Sequence, residues 1–590
     1  MSVEQTFMNQ LITDNIDIWT STVKTKSASG RGSSKKRELY GVKKLRELIL
    51  ELAVRGKLVP QDPTDEPALV LLERIAEEKA QLVKDKKIKK QKSFGEVRDD
   101  EALFELPLGW QWTRLSELSE IGPRNSDVED ESEASFVPMP MISTSYKGEH
   151  GSEVRSWKDI KKGYTHFRDG DIALAKITPC FENSKAAVFS DLKNGVGTGT
   201  TELHVARPIS GALEPLFVLL YLKAPMFLKV GETQMTGSAG QKRVPKDFFA
   251  GNPLPYPPLK EQKRIVAKVD ELMTLCDQLE QQTEASIEAH QVLVTTLLDT
   301  LTNSADAEEL MQNWARISEH FDTLFTTEAS IDQLKQTILQ LAVMGKLVPQ
   351  HPSDEPAAKL LERIAEEKAQ LIKDKKIKKQ KALPPIADDE KPFELPNGWE
   401  WCRFGELGYD LGGGTPSKGN SEYWGGSIPW VSPKDMKRDY IESAIDSVTE
   451  KAVLETTIKL IPEKSLLMVV RGMILAHSFP VALTKKPVVI NQDMKALIYN
   501  YIEPEFLLVV MKGIKNEMVD LVDRSSHGTC KLVSDKLWSV VLAVPPLSQQ
   551  RQIVKKANEL LGICEKLKGS LKESQTTQLH LTDAIVEQAV

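Results

Sequence analysis

Residues Leu72–Lys92 read LERIAEEKAQLVKDKKIKKQK, and the chain contains this stretch twice. The second copy, Leu361–Lys381, begins 289 residues later and differs only at Ile372, where the first copy has Val83. A match of this length does not arise by chance. Because the period far exceeds the repeats of solenoid proteins, the match predicts that one large unit is duplicated in tandem.

Two further stretches repeat with the same offset on either side of it. LAVRGKLVPQ at Leu52–Gln61 returns as LAVMGKLVPQ at Leu341–Gln350. FELPLGWQW at Phe104–Trp112 returns as FELPNGWEW at Phe393–Trp401. Each unit therefore begins with the same short motifs in the same order.

The two copies are conserved unevenly. Residues 42–112 and 331–401 are nearly identical, whereas 113–256 and 402–544 share little more than scattered residues. Two near-identical parts suit contact with the same kind of surface twice, and two divergent parts suit the reading of different targets. A recent duplication, or a gene conversion that homogenised only some stretches, is the alternative explanation.

Each divergent part ends with a proline motif that leads into a helix of heptad spacing. The motif is PPLKEQKRIV at Pro257–Val266 and PPLSQQRQIV at Pro545–Val554, here 288 residues apart. The heptad positions are Ile265, Val269, Leu272, Cys276 and Leu279 in the first copy and Ile553, Ala557, Leu560, Cys564 and Leu567 in the second. This spacing predicts long helices that pack against other helices, with both cysteines as buried apolar residues.

Local patterns predict the remaining elements. An amphipathic helix over Leu45–Ala53 ends near Gly56, and a second helix begins near Asp65. Short apolar runs between Gly, Pro, Asn and Asp clusters predict strands at 171–177, 202–206, 465–470 and 488–490. Residues 1–40 are rich in Ser and Lys and are predicted to be mobile. The tryptophans of the repeated motif are predicted core residues: Trp110, Trp112, Trp399 and Trp401.

The composition limits the class of protein. A length of 590 residues predicts two to four domains, and 41% apolar with 27% charged residues is typical of a soluble globular protein. We expect no membrane span, because no run of about eighteen apolar residues exists, and no signal peptide. Five cysteines without a CxxC pair predict a reducing cytoplasm rather than a disulfide framework. Since the net charge is −7, any DNA-binding surface must concentrate its positive charge or borrow it from a partner.

The order of these motifs resembles that of the specificity subunits of type I restriction-modification enzymes, and in particular an enterobacterial, type IB-like subgroup. The most specific marks are LPxGWxW at the start and PPLxEQxxIV at the end of each divergent part. The resemblance covers residues 42–590. In the second copy Ser548 and Gln549 replace Lys260 and Glu261 of the first, which is a mild departure from the family pattern.

The resemblance implies a mixed α/β (α+β) fold class with two target-recognition domains, separated and joined by long, partly coiled-coil conserved helices in a pseudo-two-fold internal repeat. The expected division is 1–40, mobile N-terminal segment; 41–103, N-terminal conserved helical repeat; 104–258, first variable domain (target recognition); 259–303, long spacer helix; 304–392, central conserved helical repeat; 393–546, second variable domain (target recognition); and 547–590, C-terminal conserved helix.

It further implies a function and partners. The chain would read a bipartite, asymmetric site on double-stranded DNA for two methyltransferase subunits and two restriction (translocase) subunits. Adenine N6 methylation would use S-adenosylmethionine bound by the methyltransferase, and the restriction subunits would use ATP and Mg. The chain itself is expected to be a non-catalytic cytoplasmic component of a defence against foreign DNA.

The residues themselves show no enzyme site. The nearest string to an amino-methyltransferase motif, Asn491–Met494, lacks its prolines and its aromatic residue. The glycine-rich stretches 195–199 and 412–418 fail the dinucleotide-binding and phosphate-loop patterns. The nine histidines have no metal-ligand spacing. The sequence therefore predicts no catalytic residue, no cofactor-binding residue and no metal site.

Polar loop residues of the variable domains are the candidates for DNA contact, because Arg or Lys recognises guanine and Asn or Gln recognises adenine in the major groove. In the first variable domain they are Lys176, Thr178, Asn183, Lys185, Thr201, Gln241, Lys242 and Arg243. In the second they are Thr415, Ser417, Lys418, Lys434, Arg471, Gln492, His527 and Lys531. For any single residue, an ordinary solvated loop side chain is the competing interpretation.

The lysine runs allow several interpretations. Lys84–Lys92 contains six lysines and one aspartate, and its copy is Lys373–Lys381. Contact with DNA phosphates, solvated helix ends and ion pairs with an acidic partner all fit this composition.

For the whole chain, a coiled-coil scaffold without a nucleic-acid role is the alternative function. The heptads and charged helices alone would suit it. The two divergent domains argue against it, since a scaffold has no evident need of two differently specialised heads.

Overall fold

The structure is a computed structural model that describes residues 3–26, 36–209, 211, 213–524 and 529–590. It divides into two compact units, residues 1–286 with 574–590 and residues 287–573. The helices are α1 (Val3–Asp14), α2 (Ile16–Ser21), α3 (Tyr40–Val54), α4 (Ala68–Lys84), α5 (Leu115–Leu118), α6 (Trp157–Ile160), α7 (Pro215–Lys223), α8 (Pro225–Gln234), α9 (Lys246–Gly251), α10 (Leu259–Thr302), α11 (Ala307–Ser318), α12 (Phe321–Leu324), α13 (Glu328–Val343), α14 (Ala357–Lys373), α15 (Glu450–Glu455), α16 (Pro504–Gly513), α17 (Lys515–Asp520), α18 (Ser534–Trp538) and α19 (Leu547–Ala589).

The strands are β1 (Val23–Lys26), β2 (Lys36–Leu39), β3 (Gln111–Arg114), β4 (Ser119–Ile121), β5 (Glu133–Val137), β6 (Glu153–Ser156), β7 (Thr165–Arg168), β8 (Ile172–Ala175), β9 (Ala186–Val188), β10 (Val196–Gly199), β11 (Leu203–Pro208), β12 (Pro253–Tyr256), β13 (Glu400–Arg403), β14 (Tyr409–Gly412), β15 (Trp424–Val431), β16 (Tyr440–Ile441), β17 (Asp446–Val448), β18 (Leu466–Val469), β19 (Val481–Thr484), β20 (Val489–Ile490), β21 (Met494–Ile498), β22 (Asp523–Arg524), β23 (Cys530–Lys531) and β24 (Val541–Val544).

Each variable domain contains two main sheets whose shared strands follow the same order, while β7 and β16 have no counterpart in the other domain. In the first domain the strand orders are β4-β11-β8-β9 and β6-β5-β10-β7, and in the second they are β14-β21-β18-β19-β16 and β17-β15-β20. β8 pairs antiparallel with β11 as β18 pairs with β21. β5 pairs parallel with β10 as β15 pairs with β20. The mixed α/β fold class and the internal repeat are therefore confirmed, although the two sequences share little.

Both variable domains begin and end at one place. β3, which follows the entry motif, pairs antiparallel with β12, which precedes the exit motif, and β13 pairs with β24 in the same way. Buried Arg114 of β3 donates from Nε to the Gly95 carbonyl, at 2.9 Å, and from Nη1 to the Gly251 carbonyl. Arg403 makes the corresponding contacts in the second copy, including one of 2.7 Å from Nη1 to the Ser539 carbonyl. Each arginine therefore joins the first strand of its domain to the preceding linker and to the last helix.

The end of α3 packs against the entry motif, which explains why both stretches are conserved between the two copies. Gly56 ends the helix with φ +69°, and a Cβ atom there would lie 2.5 Å from Cγ of Pro107 and 2.9 Å from the Trp110 ring. In the second copy a Cβ atom at Gly345 would lie 2.7 Å from the Trp399 ring. Only glycine fits this approach, and the predicted burial of both tryptophans is confirmed.

The invariant glutamine of the two exit motifs ties the long helix to its variable domain. Gln262 is fully buried; its Oε1 accepts from the Glu214 backbone N–H and its Nε2 donates to the Pro257 carbonyl, both at 2.8 Å. Gln550 makes the same two bonds in the second copy, at 2.9 and 3.1 Å. Because a buried backbone group without a partner is costly, a glutamine is required at this position in both copies.

The structure explains one of the two replacements in the second exit motif, that of Glu261 by Gln549. In the first copy Glu261 is buried and accepts from Gln61 at 3.1 Å, while buried Asp65 accepts from Arg264 at 2.7 Å. Burial raises the pKa of Glu261, and the nearby Asp65 raises it further while Arg264 lowers it. One arginine therefore compensates for two buried carboxyl groups.

In the second copy a neutral amide takes the place of the buried carboxyl group of Glu261. Gln549 is buried, donates to Oδ2 of Asp354 at 3.1 Å and accepts from Nε1 of Trp399 at 2.9 Å. Gln552 stands where the first copy has its arginine. Since only one carboxyl group remains here, the amide can satisfy it without a cation.

The long helices follow the predicted heptads. α10 and α19 are unbroken over 44 and 43 residues. The predicted heptad residues of α10 are all buried, and so are the first four of α19, whereas Leu567 is half-buried. Burial raises the pKa of the Cys276 thiol to about 12 and that of Cys564 to about 11, as expected for core cysteines. Among the described residues, no helix is sufficiently long and apolar to cross a membrane.

The prediction of a mobile segment over residues 1–40 differs from the structure. This segment forms α1 and α2, and Trp19 is fully buried. The hydroxyl groups of Thr22 and Thr582 lie 3.0 Å apart, and Tyr40 donates to Asp583 at 2.8 Å. These partners lie at the far end of the sequence, so local composition could not reveal them. Residues 27–35 of the Ser- and Lys-rich stretch lie outside the described residues.

Replacing Gln262 by Met should lower the free energy of unfolding of the first unit by about 2–4 kcal/mol, because the Glu214 N–H and the Pro257 carbonyl lose their partner. Urea denaturation of the full chain, monitored by hydrogen exchange of α7 and α10, measures this loss. Lys263→Met is the matched control, since Lys263 is exposed on the same helix turn. An equal effect of both substitutions would contradict the conclusion that the Gln262 hydrogen bonds hold α10 to the variable domain.

Candidate nucleic-acid interface

Three loop segments of the first variable domain meet at the end of β8. The Lys176 N–H donates to the Glu202 carbonyl at 2.9 Å, and the Lys176 carbonyl accepts from the Val244 N–H at 2.8 Å. The Thr178 N–H then donates to the Lys242 carbonyl at 2.9 Å. The strand end, the turn before β11 and the segment before α9 are therefore fixed to one another by backbone bonds.

The second variable domain has the same three bonds. The Val470 N–H donates to the Asp493 carbonyl at 2.9 Å, and the Val470 carbonyl accepts from the Leu532 N–H at 2.9 Å. The Gly472 N–H donates to the Cys530 carbonyl at 3.0 Å. We call this three-segment junction the recognition edge of each domain. Its backbone is conserved between the domains, although its side chains are not.

The three backbone hydrogen bonds that the two recognition edges share show which residues of the two edges are equivalent. Thr201 and Gln492 occupy equivalent positions, because each precedes the residue whose carbonyl binds the strand end. Arg243 is equivalent to Lys531, since each lies one residue before the N–H that returns to that strand. Arg243 and Lys531 lie 288 residues apart, as the exit motifs do, whereas Thr201 and Gln492 lie 291 residues apart, so no single sequence offset aligns the two edges.

In the first domain the edge brings six candidates together: Lys176, Thr178, Thr201, Gln241, Lys242 and Arg243. Thr201, Gln241 and Lys242 are exposed. Arg243 is not free, because its Nε and Nη2 donate to the two carboxylate oxygens of Glu202 at 2.9 and 2.8 Å. This bidentate pair lowers the pKa of Glu202 and fixes the guanidinium at the surface.

The two other candidates of this domain lie further along the loop that begins at Thr178. The Asn183 side chain is exposed, and the Asn183 backbone N–H donates to the Pro179 carbonyl at 3.0 Å. Lys185 is half-buried and donates from Nζ to the Met139 carbonyl at 2.9 Å. Lys185 therefore has a structural partner within its own domain, whereas Asn183 does not use its side chain in this way among the described residues.

In the second domain a close backbone approach brings Thr415 to the edge. The Gly414 N–H donates to the Ile490 carbonyl at 2.9 Å, and a Cβ atom at Gly413 would lie 1.9 Å from the Asn491 carbonyl oxygen. Only glycine permits this contact. The Thr415 hydroxyl consequently donates to Oε1 of Gln492.

Two cations and one apolar side chain complete this edge. Arg471 is half-exposed, and its Nη1 lies 3.9 Å from Oδ1 of Asp493, a looser pair than the one in the first domain. Arg471 and Lys531 are bridge partners on adjacent backbone segments. Met473, two residues after Arg471, is 65% exposed. The edge thus combines two cations, an amide, a hydroxyl group and an apolar side chain.

The remaining candidates of the second domain lie on neighbouring turns. Ser417 and Lys418 are exposed, and the Ser417 carbonyl accepts from Nε1 of Trp424 at 3.1 Å. Lys434 is exposed on the turn that Asp435 closes, just after β15. His527 lies outside the described residues.

Glu202 and Asp493 were missed by the sequence analysis. Both lie at the same position of the edge and each faces an arginine, although the two arginines come from different segments. Acidic side chains are not expected among groups that contact DNA, and no local motif marks them. The pairing of an arginine with an acid 41 residues away in sequence is visible only in the fold.

A half-buried histidine supports the edge of the first domain from behind. His204 donates from Nε2 to the Val244 carbonyl at 2.9 Å and stacks on Phe249 with 5.4 Å between ring centres. Burial lowers the pKa of His204 to about 4. The ring is therefore neutral at physiological pH, and its charged form would oppose this packing.

Among the described residues, no group of three or more His, Cys, Asp or Glu side chains has a geometry that could hold a metal ion. The edges consist instead of exposed cationic and amide side chains on a fixed backbone. This arrangement is suited to contact with a polar, anionic surface such as nucleic acid.

Comparison with known proteins shows to which family the chain belongs. The family model for the type I restriction modification DNA specificity domain matches residues 107–289 and 396–573, more than half of the chain. The chain belongs to this family. Each matched range begins within the entry motif and ends in one of the long helices, so the family match follows the internal repeat.

Individual relatives of this specificity-domain family align over the whole chain. The chain is 52% identical to the type I restriction enzyme EcoAI specificity subunit of Escherichia coli over 100% of both sequences. It is 50% identical to the EcoEI specificity subunit of the same organism over 99% of this chain and 100% of the relative. A solved chain from work on assembly of the type I R-M system is 19% identical over 82% of this chain and 98% of its own, with a TM-score of 0.49.

Gly413→Ala should destabilise the second variable domain by about 2–4 kcal/mol, because the new Cβ atom collides with two backbone carbonyls. Gly412→Ala is the matched control, since a Cβ atom there meets nothing within 4 Å. Urea denaturation with hydrogen exchange of β14 and β21 measures both. If the two alanines cost the same, the close approach at Gly413 is not needed.

Acidification should weaken the edge of the first domain. Because the folded-state pKa of His204 is about 4 and the ordinary value is 6.5, the unfolded chain binds the proton first. The stability contributed by the neutral ring is present above pH 6.5 and is lost as the pH falls towards 4, by ~3 kcal/mol in total. Urea denaturation at three pH values across this range measures the loss.

His204→Gln supplies the control for this pH effect. Glutamine can still donate towards the Val244 carbonyl but cannot take up a proton in this range. The difference in stability between pH 6.5 and 4 should therefore be smaller in the variant by the same ~3 kcal/mol. Identical pH profiles of the two proteins would exclude His204 as the cause.

Proposed function

We propose that this chain supplies the sequence specificity of a type I restriction-modification enzyme by reading both halves of a bipartite, asymmetric DNA site. One observation carries the proposal. The two recognition edges share the same backbone bonds but present different side chains at equivalent positions, Thr201 against Gln492 and Arg243 against Lys531. Two half-sites of different sequence require two domains that share a backbone but differ in their exposed side chains.

The chemistry of the edges supports base recognition. The exposed amides of Gln241 and Gln492 match the donor and acceptor pair of adenine, and Lys242 and Lys531 match the acceptors of guanine. Met473 offers an apolar contact for a thymine methyl group. The rigid pair of Arg243 with Glu202 holds one guanidinium in a fixed direction, which favours discrimination over general attraction.

In this proposal the chain is non-catalytic and acts with other proteins. Residues 42–112 and 331–401, being nearly identical, bind two methyltransferase subunits that methylate adenine N6 with their own S-adenosylmethionine. Two restriction subunits, which use ATP and Mg, complete the complex in the cytoplasm and cleave foreign DNA. The net charge of −7 supports this dependence, because an acidic chain alone binds DNA weakly and the partners must add positive charge.

Co-expression of this chain with its methyltransferase partner, in a host without such modification, tests the proposal. Mapping of N6-methyladenine across the genome should give one bipartite motif, and the motif should disappear when this chain is omitted. No complex and no motif would favour the coiled-coil scaffold. Methyl transfer by the purified chain alone would overturn its non-catalytic role.

Single substitutions then separate the two readers. Lys242→Ala should relax one half of the motif and Lys531→Ala the other, each by about 1–3 kcal/mol of discrimination at one base pair. The half-site read by the unaltered domain is the internal control. If either substitution relaxed both halves equally, the assignment of one half-site to each domain would be wrong.

A further inference from the structure

The lysine runs leave their helices by the same turn in both copies. α4 ends at Lys84, and Lys86 then has φ +57°, so that the Lys87 N–H returns to the Leu82 carbonyl at 2.9 Å. In the second copy Lys375 has φ +58° and the same bonds form. This left-handed turn ends the helix and directs the rest of the run along the variable domain.

The end of each run is fixed to its variable domain. Gln91 pairs with the backbone of Ile121, donating to its carbonyl and accepting from its N–H, both at 3.1 Å. Lys92 then donates to Asp247 at 2.6 Å. In the second copy Gln380 donates to Asp410 at 3.0 Å. A run that was only a frayed helix end would not be held at both ends.

These anchor points border the recognition edge. Ile121 ends β4, and the next N–H, of Gly122, donates to the Val205 carbonyl near the start of β11. Asp247 lies in α9, four residues after Arg243. In the second copy Asp410 belongs to β14, which leads to Thr415.

The lysines of this region divide into anchoring and free groups. Lys79 and Lys368, on α4 and α14, donate to backbone carbonyls of the variable domains, and burial lowers the pKa of both. In contrast, Lys89 and Lys90 are exposed, as are the corresponding residues at 378 and 379. Within the described part of the chain, none of these four exposed ammonium groups has a carboxylate partner.

We propose, on the basis of the proposed function, that the two lysine runs contact DNA phosphates beside each half-site without reading bases. The position of the runs beside both recognition edges carries this assignment. Their identity in both copies fits it, because a segment that discriminated between two different half-sites would differ between them, while the rest of each near-identical segment remains free to bind the methyltransferase. Ammonium groups on flexible stems suit phosphate, which has the same charge in every sequence. An acidic protein partner is the competing occupant, and the runs' position beside both recognition edges favours DNA.

The test uses the complex of the full chain with its methyltransferase. Lys89→Gln with Lys90→Gln, Lys378→Gln with Lys379→Gln, and the fourfold variant are compared on a cognate and an unrelated duplex between about 50 and 200 mM salt. The slope of log K against log salt should fall by about 0.9 for each lost contact, hence by roughly 3–4 in the fourfold variant. Cognate and unrelated DNA should lose affinity by the same factor, and the methylated motif should stay unchanged.

Lys464→Gln with Lys486→Gln is the matched control. Both lysines are exposed in the second variable domain but lie at the opposite end of β18 from Arg471, because β19 pairs antiparallel with β18 there. This control should leave the salt slope unchanged, and an equal fall in the control and in the run variants would mean a general charge effect and overturn the proposal.

Failure of this proposal is distinguishable from failure of the proposed function. A fourfold variant with an unchanged salt slope and an intact motif would overturn the phosphate contact alone. Loss of the methyltransferase from the variant chain, with an unchanged slope for the complexes that remain, would assign the runs to an acidic protein surface instead. If the unaltered complex gave no bipartite motif, the proposed function itself would fall.

Discussion

The pairing of the first and last strands of each variable domain is the constraint on which the rest of the structure depends. β3 lies on β12 and β13 on β24, and one buried arginine at each ladder binds the linker before the domain and the last helix within it. Because the first and last strands of each variable domain lie side by side, the residues between them can change without moving the conserved helices that flank the domain. The conserved helices therefore stay nearly identical in sequence while the domains between them diverge.

Within the domains, a second constraint keeps the recognition edges alike. Three backbone bonds hold the strand end, the following turn and the segment before α9 or α18. Backbone bonds do not depend on side-chain identity, so the positions at 201 and 492, or at 243 and 531, can vary while their placement does not. In the proposed function, specificity is thus carried by side chains on a fixed frame, and the acids paired with the arginines limit how far those side chains move.

The sequence predicted those parts of the fold that depend on near neighbours. The heptads of α10 and α19, the helix α3 and the strands at 172–175 and 466–469 all follow local periodicity, and they are found where expected. Trp19 was missed because its burial depends on tertiary contacts: α2 packs against α3, and Thr22, the residue after α2, lies 3.0 Å from Thr582, 560 positions further along the sequence. Of the candidate contacts, Lys185 has a partner in its own domain that nothing local indicates. The equivalence of Thr201 with Gln492 was also hidden, since the lengths of the intervening loops differ. The remaining candidate residues stay predictions.

The two solutions found beside the exit glutamines bear on how these positions can evolve. In the first copy Glu261 and Asp65 are both buried and share Arg264, whereas the second copy has Gln549 with Asp354 and no arginine. If the arginine were lost first, two buried carboxyl groups would lack a cation, at a cost of about 3–5 kcal/mol. If Glu261→Gln came first, the amide could bind Asp65 while the arginine remained. Substitutions that convert one arrangement into the other must therefore occur in a fixed order. In either direction, the tolerated intermediate contains the arginine together with a glutamine at the position of Glu261.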